Sequence, residues 1–319
     1  MERNEVIRKV SESLSISEED AELVVSKAEI GDEVESSLEN WLNNRFLPNV
    51  VFIDQQGYAQ MCIDALKILG KTAATDYGGS RQRDLGHLWA DMTRGYLGEL
   101  AFKLFLKQKW NVEVYLDHEV GELRDYLPTD IHKVKKQGEN ERPPRIKVGL
   151  KTTKWNGIWL DIPGDQFNHS DVHMLIKVGT GRDHLFAYFK SISVFKDKVL
   201  KVGRDLGLLS VEESELLFEK LPSFNLIPAY ICGFVWKNRD YEPLSYSGRK
   251  GRMHYTITGW NGPIRPGDLE RIKEQESITT RGAVKFKGIG RFTHDSGYLF
   301  NAGNLRWSDD EWRGVIESM

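Results

Sequence analysis

The 319-residue chain contains two cysteines, ten prolines and no apolar run long enough to cross a bilayer. Cys62 and Cys232 both sit inside apolar runs, so they read as buried thiols of a reducing, cytoplasmic protein rather than as a disulfide framework. Two cysteines cannot build a zinc finger. No stretch of 18 apolar residues occurs, so no transmembrane helix is expected. The opening residues, Met1-Glu2-Arg3-Asn4-Glu5, lack the apolar segment of a secretory signal. Also missing are a Gly-x-x-x-x-Gly-Lys-Ser/Thr phosphate loop, a Gly-x-Ser-x-Gly elbow and a His-Glu-x-x-His pair, which argues against nucleotide-driven motors, serine hydrolases of that type and zinc peptidases. His169 and His173 are four apart, but the intervening residues read as the start of a strand, which does not suit a zinc pair. No internal repeat, heptad pattern or low-complexity tract is visible.

What is present is the composition of a globular chain large enough for two or three compact units, 40% hydrophobic and 29% charged. The net charge of -3 conceals an asymmetry, because the first 45 residues hold five Lys or Arg against twelve Asp or Glu. The remainder is therefore mildly basic. Residues 133–154 hold eight basic side chains against two acidic, and residues 281–291 hold four against none. Such tracts line solvated faces or follow a phosphate backbone with salt-sensitive affinity.

Hydrophobic periodicity divides the chain. Residues 1–50 read as a helical, acidic region, a small module or a dimerisation arm, with Ser17 capping a helix and Asp20 three residues on. Helices continue to about residue 110, broken by an expected loop at Asp76-Tyr77-Gly78-Gly79-Ser80. Strands are expected at 111–116, 129–134, 145–153, 157–162, 172–178, 184–191 and 226–236, with a helix at 210–220 announced by the Ser210–Glu213 capping box. Beyond residue 241, glycines and alternating aromatics suggest a small β-rich region with strands near 253–260, 283–286 and 298–301 and a closing helix at 308–317. Trp260, Asn261, Arg265, Arg291, Asn304, Arg306 and Trp307 are its candidates for base contacts.

Two adjacent strand-like runs carry the chemistry, Pro128-Thr129-Asp130-Ile131 and Val148-Gly149-Leu150-Lys151-Thr152-Thr153. In the second, Ile146, Val148 and Leu150 alternate with Lys147, Gly149 and Lys151, the period of a half-buried strand, so Gly149 and Lys151 share a face. Upstream, residues 88–107 form a helical run in which Leu97, Leu100, Ala101, Leu104 and Phe105 make one stripe. Glu99 falls in a second stripe with Met92, Gly95, Phe102 and Leu106, where a carboxylate needs a cation, a donor or a metal.

This arrangement resembles the PD-(D/E)xK nuclease superfamily, which includes many restriction endonucleases, over roughly residues 94–190. There an aspartate follows a proline or small residue, an acid-x-lysine triplet lies on the neighbouring strand, and a Glu often stands on the preceding helix. Gly149 occupies the place where the family usually carries Asp or Glu. The resemblance implies an α/β fold, with a central mixed β-sheet flanked by helices over 51–240, a helical region at 1–50 and a β-rich, candidate DNA-recognition part at 241–319. It also implies a Mg²⁺-dependent type II endonuclease acting on double-stranded DNA as a cytoplasmic homodimer. Glu99, Asp130 and the Leu150 carbonyl would be metal ligands, Lys151 would position phosphate and water, and Gln166 and His169 would lie behind the site. The acid missing at 149 would be replaced by Glu99, or by a nearby group such as Asp161 entering the space Gly149 leaves, or cleavage would be weak. A DNA-binding protein that kept the scaffold and lost cleavage is the alternative.

Overall fold

A mixed four-stranded sheet forms the centre of the computed structural model, which describes residues 1–30, 37–69, 85–116, 130–181, 183–237 and 296–319, together with the short strand pieces 246–247, 256–257 and 285–286. The chain begins with α1 (Arg3–Leu14) and α2 (Glu18–Ser26), the latter capped by Ser17 accepting from the Asp20 N–H. After α3 (Leu38–Asn40) and a π-helical turn (Trp41–Phe46) come β1 (Val50–Ile53), α4 (Gln55–Leu69) and the long α5 (Leu85–Trp110). Then follow β2 (Glu113–Leu116), β3 (Ile131–Lys135), β4 (Val148–Thr153), β5 (Trp159–Pro163), the single turn α6 (Gly164–Phe167) and β6 (Val172–Val178). A helical excursion leads back to the sheet: α7 (His184–Ser191), a π-helical segment (Phe195–Leu200) continuing as α8 (Lys201–Asp205), and α9 (Val211–Lys220), then β7 (Ile227–Trp236). The rest comprises β8 (Tyr246–Ser247), β9 (Thr256–Ile257), β10 (Lys285–Phe286), β11 (Ser296–Asn301) and α10 (Asp309–Ser318).

The sheet order is β1-β7-β6-β4, with β4 and β6 parallel and the other pairs antiparallel. Every residue of β6 and β7 is buried, as befits strands covered on both faces. Alternation along β6 sends Val172, Met174, Ile176 and Val178 to one core, where Leu97, Ala101 and Phe105 of α5 pack on Val148 and Leu150 of β4. Leu175 faces a second core built from Val6, Val10, Val24 and Val25 of the N-terminal helices together with Leu160, Tyr230 and Phe300.

The acidic N-terminal region thus lies against the sheet, and a buried ion pair fastens it. Glu29 and Lys177 pair with side chains 2% and 3% exposed. Trp41 Nε1 donates to the same carboxylate at 2.9 Å, and Arg45 donates to the carbonyls of Cys232 and Ala302. Burial alone would raise the Glu29 carboxyl, but Lys177 and Arg45 hold it below its ordinary value.

One expected strand is a helix. Residues 184–191, Leu185, Phe186, Tyr188 and Phe189 among them, form α7. A short aromatic run has no decisive period, and the place beside β6 is taken by β7, which pairs with both β6 and β1. Strand 157–162 is shifted slightly to become β5, and the capping boxes at Ser210–Glu213 and Ser308–Glu311 are formed. Both cysteines are free and buried. The end of the chain returns to the core: β11 pairs with β5, and Trp312, fully buried, lies against Phe102, Phe105 and Phe234. Among the described residues no helix is long and apolar enough to cross a membrane. The expected loop at Asp76–Ser80 lies outside the described residues.

Candidate active site

Strand β4 has β6 on one side, and among the described residues its other side meets Asp130, just before β3. There the Asp130 N–H donates to the Val148 carbonyl at 3.0 Å, and the Leu150 N–H donates to Asp130 Oδ2 at 2.5 Å. The aspartate side chain therefore takes over the bonding that a neighbouring strand would have supplied, and the Asp130 carboxylate is fixed at the edge of β4. The N–H and C=O of one extended residue leave a strand toward the same side, so the Leu150 carbonyl is directed to this edge as well. Pro128 and Thr129, which precede the aspartate, lie outside the described residues.

Helix α5 approaches the same strand through glycine. A Cβ on Gly98 would fall 1.9 Å from Thr152 Oγ1, a separation no real side chain tolerates. Thr152 Oγ1 donates to the Gly95 carbonyl at 3.2 Å one turn earlier. Glycine at 98 lets the helix backbone rest on β4, and the next residue, Glu99, is half-buried.

Lys151 is where these groups meet. It is half-buried, and its ammonium donates to Gln166 Oε1 from α6. Burial pushes its pKa below the ordinary lysine range, while the charges of Asp130, Asp161 and Glu99, in that order, act to keep it protonated. Gln166, expected behind the site, accepts the ammonium's hydrogen bond; His169 is exposed in the turn after α6, and its backbone N–H donates to the Gln166 carbonyl at 3.1 Å. Asp161, on β5, is raised to about 6 by burial, against the pull of Lys151. Sequence reasoning ranked it only as one alternative, because the packing of β5 across the Lys151 face has no sequence signature.

The space beside Gly149 is not open, contrary to expectation. A Cβ there would lie 2.8 Å from Ser170 Oγ and 2.9 Å from His173 Nδ1. The parallel register sets His173 opposite Gly149, and the side chains on that face fill the gap. Asp161 therefore acts on Lys151 without entering the place of the missing acid. His173 is 1% exposed, stacks on Phe167 and bonds the Phe167 carbonyl through Nε2 at 3.1 Å. Its Nδ1 has no hydrogen-bond partner among the described residues. Burial, with Lys151 adding to it, lowers the ring's pKa to about 4, so the imidazole is neutral at neutral pH.

Of the candidate base-contacting residues, Trp260, Asn261, Arg265 and Arg291 lie outside the described residues. Arg306 is tied to Glu311 at 3.1 Å, and the Trp307 ring lies under the Arg45 guanidinium. Part of the basic tract is locally neutralised, Lys133 by Glu141 and Arg142 by Glu139, but Lys147 and Lys154 stay exposed just before and just after β4. Among the described residues no three His, Cys, Asp or Glu side chains gather into a metal cage. No protein-family model matches this chain, and comparisons with curated proteins and with solved structures likewise give no match.

Proposed function

We propose that the chain is a Mg²⁺-dependent endonuclease of the restriction type, hydrolysing phosphodiester bonds in double-stranded DNA. The observation that carries this reading is the half-buried Lys151 on β4, whose ammonium is held by Gln166 and feels the charges of Asp130, Asp161 and Glu99. A half-buried strand lysine that feels three carboxylates, one of them held at the edge of its own strand by the Leu150 N–H, is a candidate functional group.

The donor set suits the ion. Glu99, Asp130 and the Leu150 carbonyl are hard oxygen donors, and Mg²⁺ typically binds through one or two carboxylates while keeping several waters. Such a site requires no cage of three acidic side chains. Once bound, the metal would polarise the scissile phosphate and acidify a water. Lys151, its pKa depressed by burial, exchanges a proton more readily than an exposed lysine, which fits it to orient or deprotonate the attacking water and to offset charge on the phosphate. Gln166 holds the ammonium in place by accepting its hydrogen bond. Lys147 and Lys154 would meet backbone phosphates on either side, with affinity that falls as salt rises.

The test is incubation of the purified chain with supercoiled plasmid, with Mg²⁺ or with chelator. Nicking or linearisation that requires Mg²⁺, and falls by about 10²–10⁴-fold in Lys151→Ala, supports the reading. Cutting at the native rate by that variant would remove the lysine from the chemistry. One observation favours a second reading, a DNA-binding protein that has lost cleavage: position 149 has no acid, and its space is filled by neutral Ser170 and His173. Salt-sensitive DNA binding without cutting in either Mg²⁺ or Mn²⁺ would decide for it.

A further inference from the structure

The helical excursion between β6 and β7 exposes an apolar surface that the monomer does not need. Val199, Val202 and Leu206 recur at i, i+3 and i+7 along the π-helical segment and α8, and are 54%, 54% and 68% exposed. Leu208, Val211 and Leu216 continue the surface across the turn and onto α9, at 71%, 58% and 56%. Only Ser214 of α9 is buried. The lobe is nonetheless built as one piece: Arg204 bonds Ser214 Oγ, Lys190 donates to the Leu221 carbonyl at 2.6 Å, and Phe195 packs on Phe186.

We infer that this lobe is the interface through which two copies of the chain pair. Six large apolar side chains on one lobe, each more than half exposed, make a denser apolar grouping than the singly scattered hydrophobics of an ordinary monomer surface. Charge selects a second copy as the occupant. Residues 195–205 carry Lys196, Lys198, Lys201 and Arg204 against two aspartates, whereas α9 carries four glutamates against one lysine. In a two-fold arrangement the same patch serves both subunits, so the basic segment of each chain meets the acidic α9 of the other while the apolar stripes close between them. The inference deepens the proposed function by naming the partner of a two-stranded cutter. Its readout is mass, so it stands or falls separately from cleavage.

The experiment is sedimentation velocity of the full chain from below 1 to about 50 µM, an interval chosen to bracket micromolar association. A dimer is expected, weakened at least 100-fold in Leu206→Glu. Because that side chain faces solvent in the monomer, the variant should keep the wild-type circular dichroism and unfolding midpoint. As a second arm, Lys198→Glu should weaken the dimer, and combining it with Glu215→Lys in the same chain should restore it. A wild-type monomer throughout, a dimer indifferent to Leu206→Glu, or a monomer that instead binds lipid vesicles through the lobe would each overturn the assignment.

Discussion

Substituting Gly98 by alanine tests how α5 delivers Glu99. In an open helix that change stabilises a protein by roughly 0.5–1 kcal/mol, because glycine loses more backbone freedom on folding. At Gly98 the new methyl would sit 1.9 Å from Thr152 Oγ1 and 2.8 Å from its Cγ2, so either the helix lifts from β4 or Thr152 abandons its bond to the Gly95 carbonyl. Overpacking of this kind costs about 1–3 kcal/mol, which at mid-range exceeds the helix gain and leaves a net loss of about 1 kcal/mol. Gly95, one turn away, is the internal control: a Cβ there meets nothing within 4 Å, so Gly95→Ala should be stabilising by roughly 0.5–1 kcal/mol. Urea unfolding of the two variants reads opposite signs from the same helix. Combining Gly98→Ala with Thr152→Ala should recover about 1 kcal/mol relative to additivity, since the two changes share one contact. If Gly98→Ala were as stable as the wild type, glycine would not be setting the helix–strand distance.

Restoring the acid by Gly149→Asp should fail to raise cleavage and should destabilise by about 1–3 kcal/mol, because Ser170 and His173 already occupy the space; a gain in Mg²⁺-dependent cutting would contradict the packing. Asp161 should make stability fall with rising pH. Its folded pKa of about 6 lies above the ordinary 3.8, so the stability it contributes is complete below about pH 4 and lost as pH climbs through about 6, up to ~3 kcal/mol in all. In metal-free buffer Asp161→Asn should therefore gain on the wild type between pH 4 and 7, and an equal gap at both pH values would refute the assignment. Glu29→Ala should cost about 3–5 kcal/mol by stranding the buried Lys177, measured by denaturant unfolding; a loss under 1 kcal/mol would mean that water reaches the ammonium.

The sequence made three strands of the sheet legible, β4 by its alternation and β6 and β7 by continuous apolar runs, but not β1, which falls in a stretch that reads as helical; capping residues mark α2 and α9. It misled at 184–191, where a short aromatic run suits either conformation and the long-range choice of sheet partners decided for α7. Within the candidate site, Asp130 and Lys151 could be read from strand spacing, and Glu99 from its apolar company. The neighbour of Gly149 could not, because the match of Gly149 with His173 depends on a parallel register set across 24 residues. The same holds for Asp161, whose effect on Lys151 depends on how β5 folds over that face. The Gly98–Thr152 contact shows the converse: the glycine was visible, but its reason is a tertiary distance.

Mn²⁺ binding followed by electron paramagnetic resonance addresses the metal site itself, using Mn²⁺ in place of Mg²⁺. One ion per chain is expected in the wild type and in Lys151→Met, with affinity reduced at least tenfold in Glu99→Gln and in Asp130→Asn, the latter keeping an oxygen to accept from the Leu150 N–H. Equal affinity in all four proteins, or no binding in any, would contradict a metal held by Glu99 and Asp130.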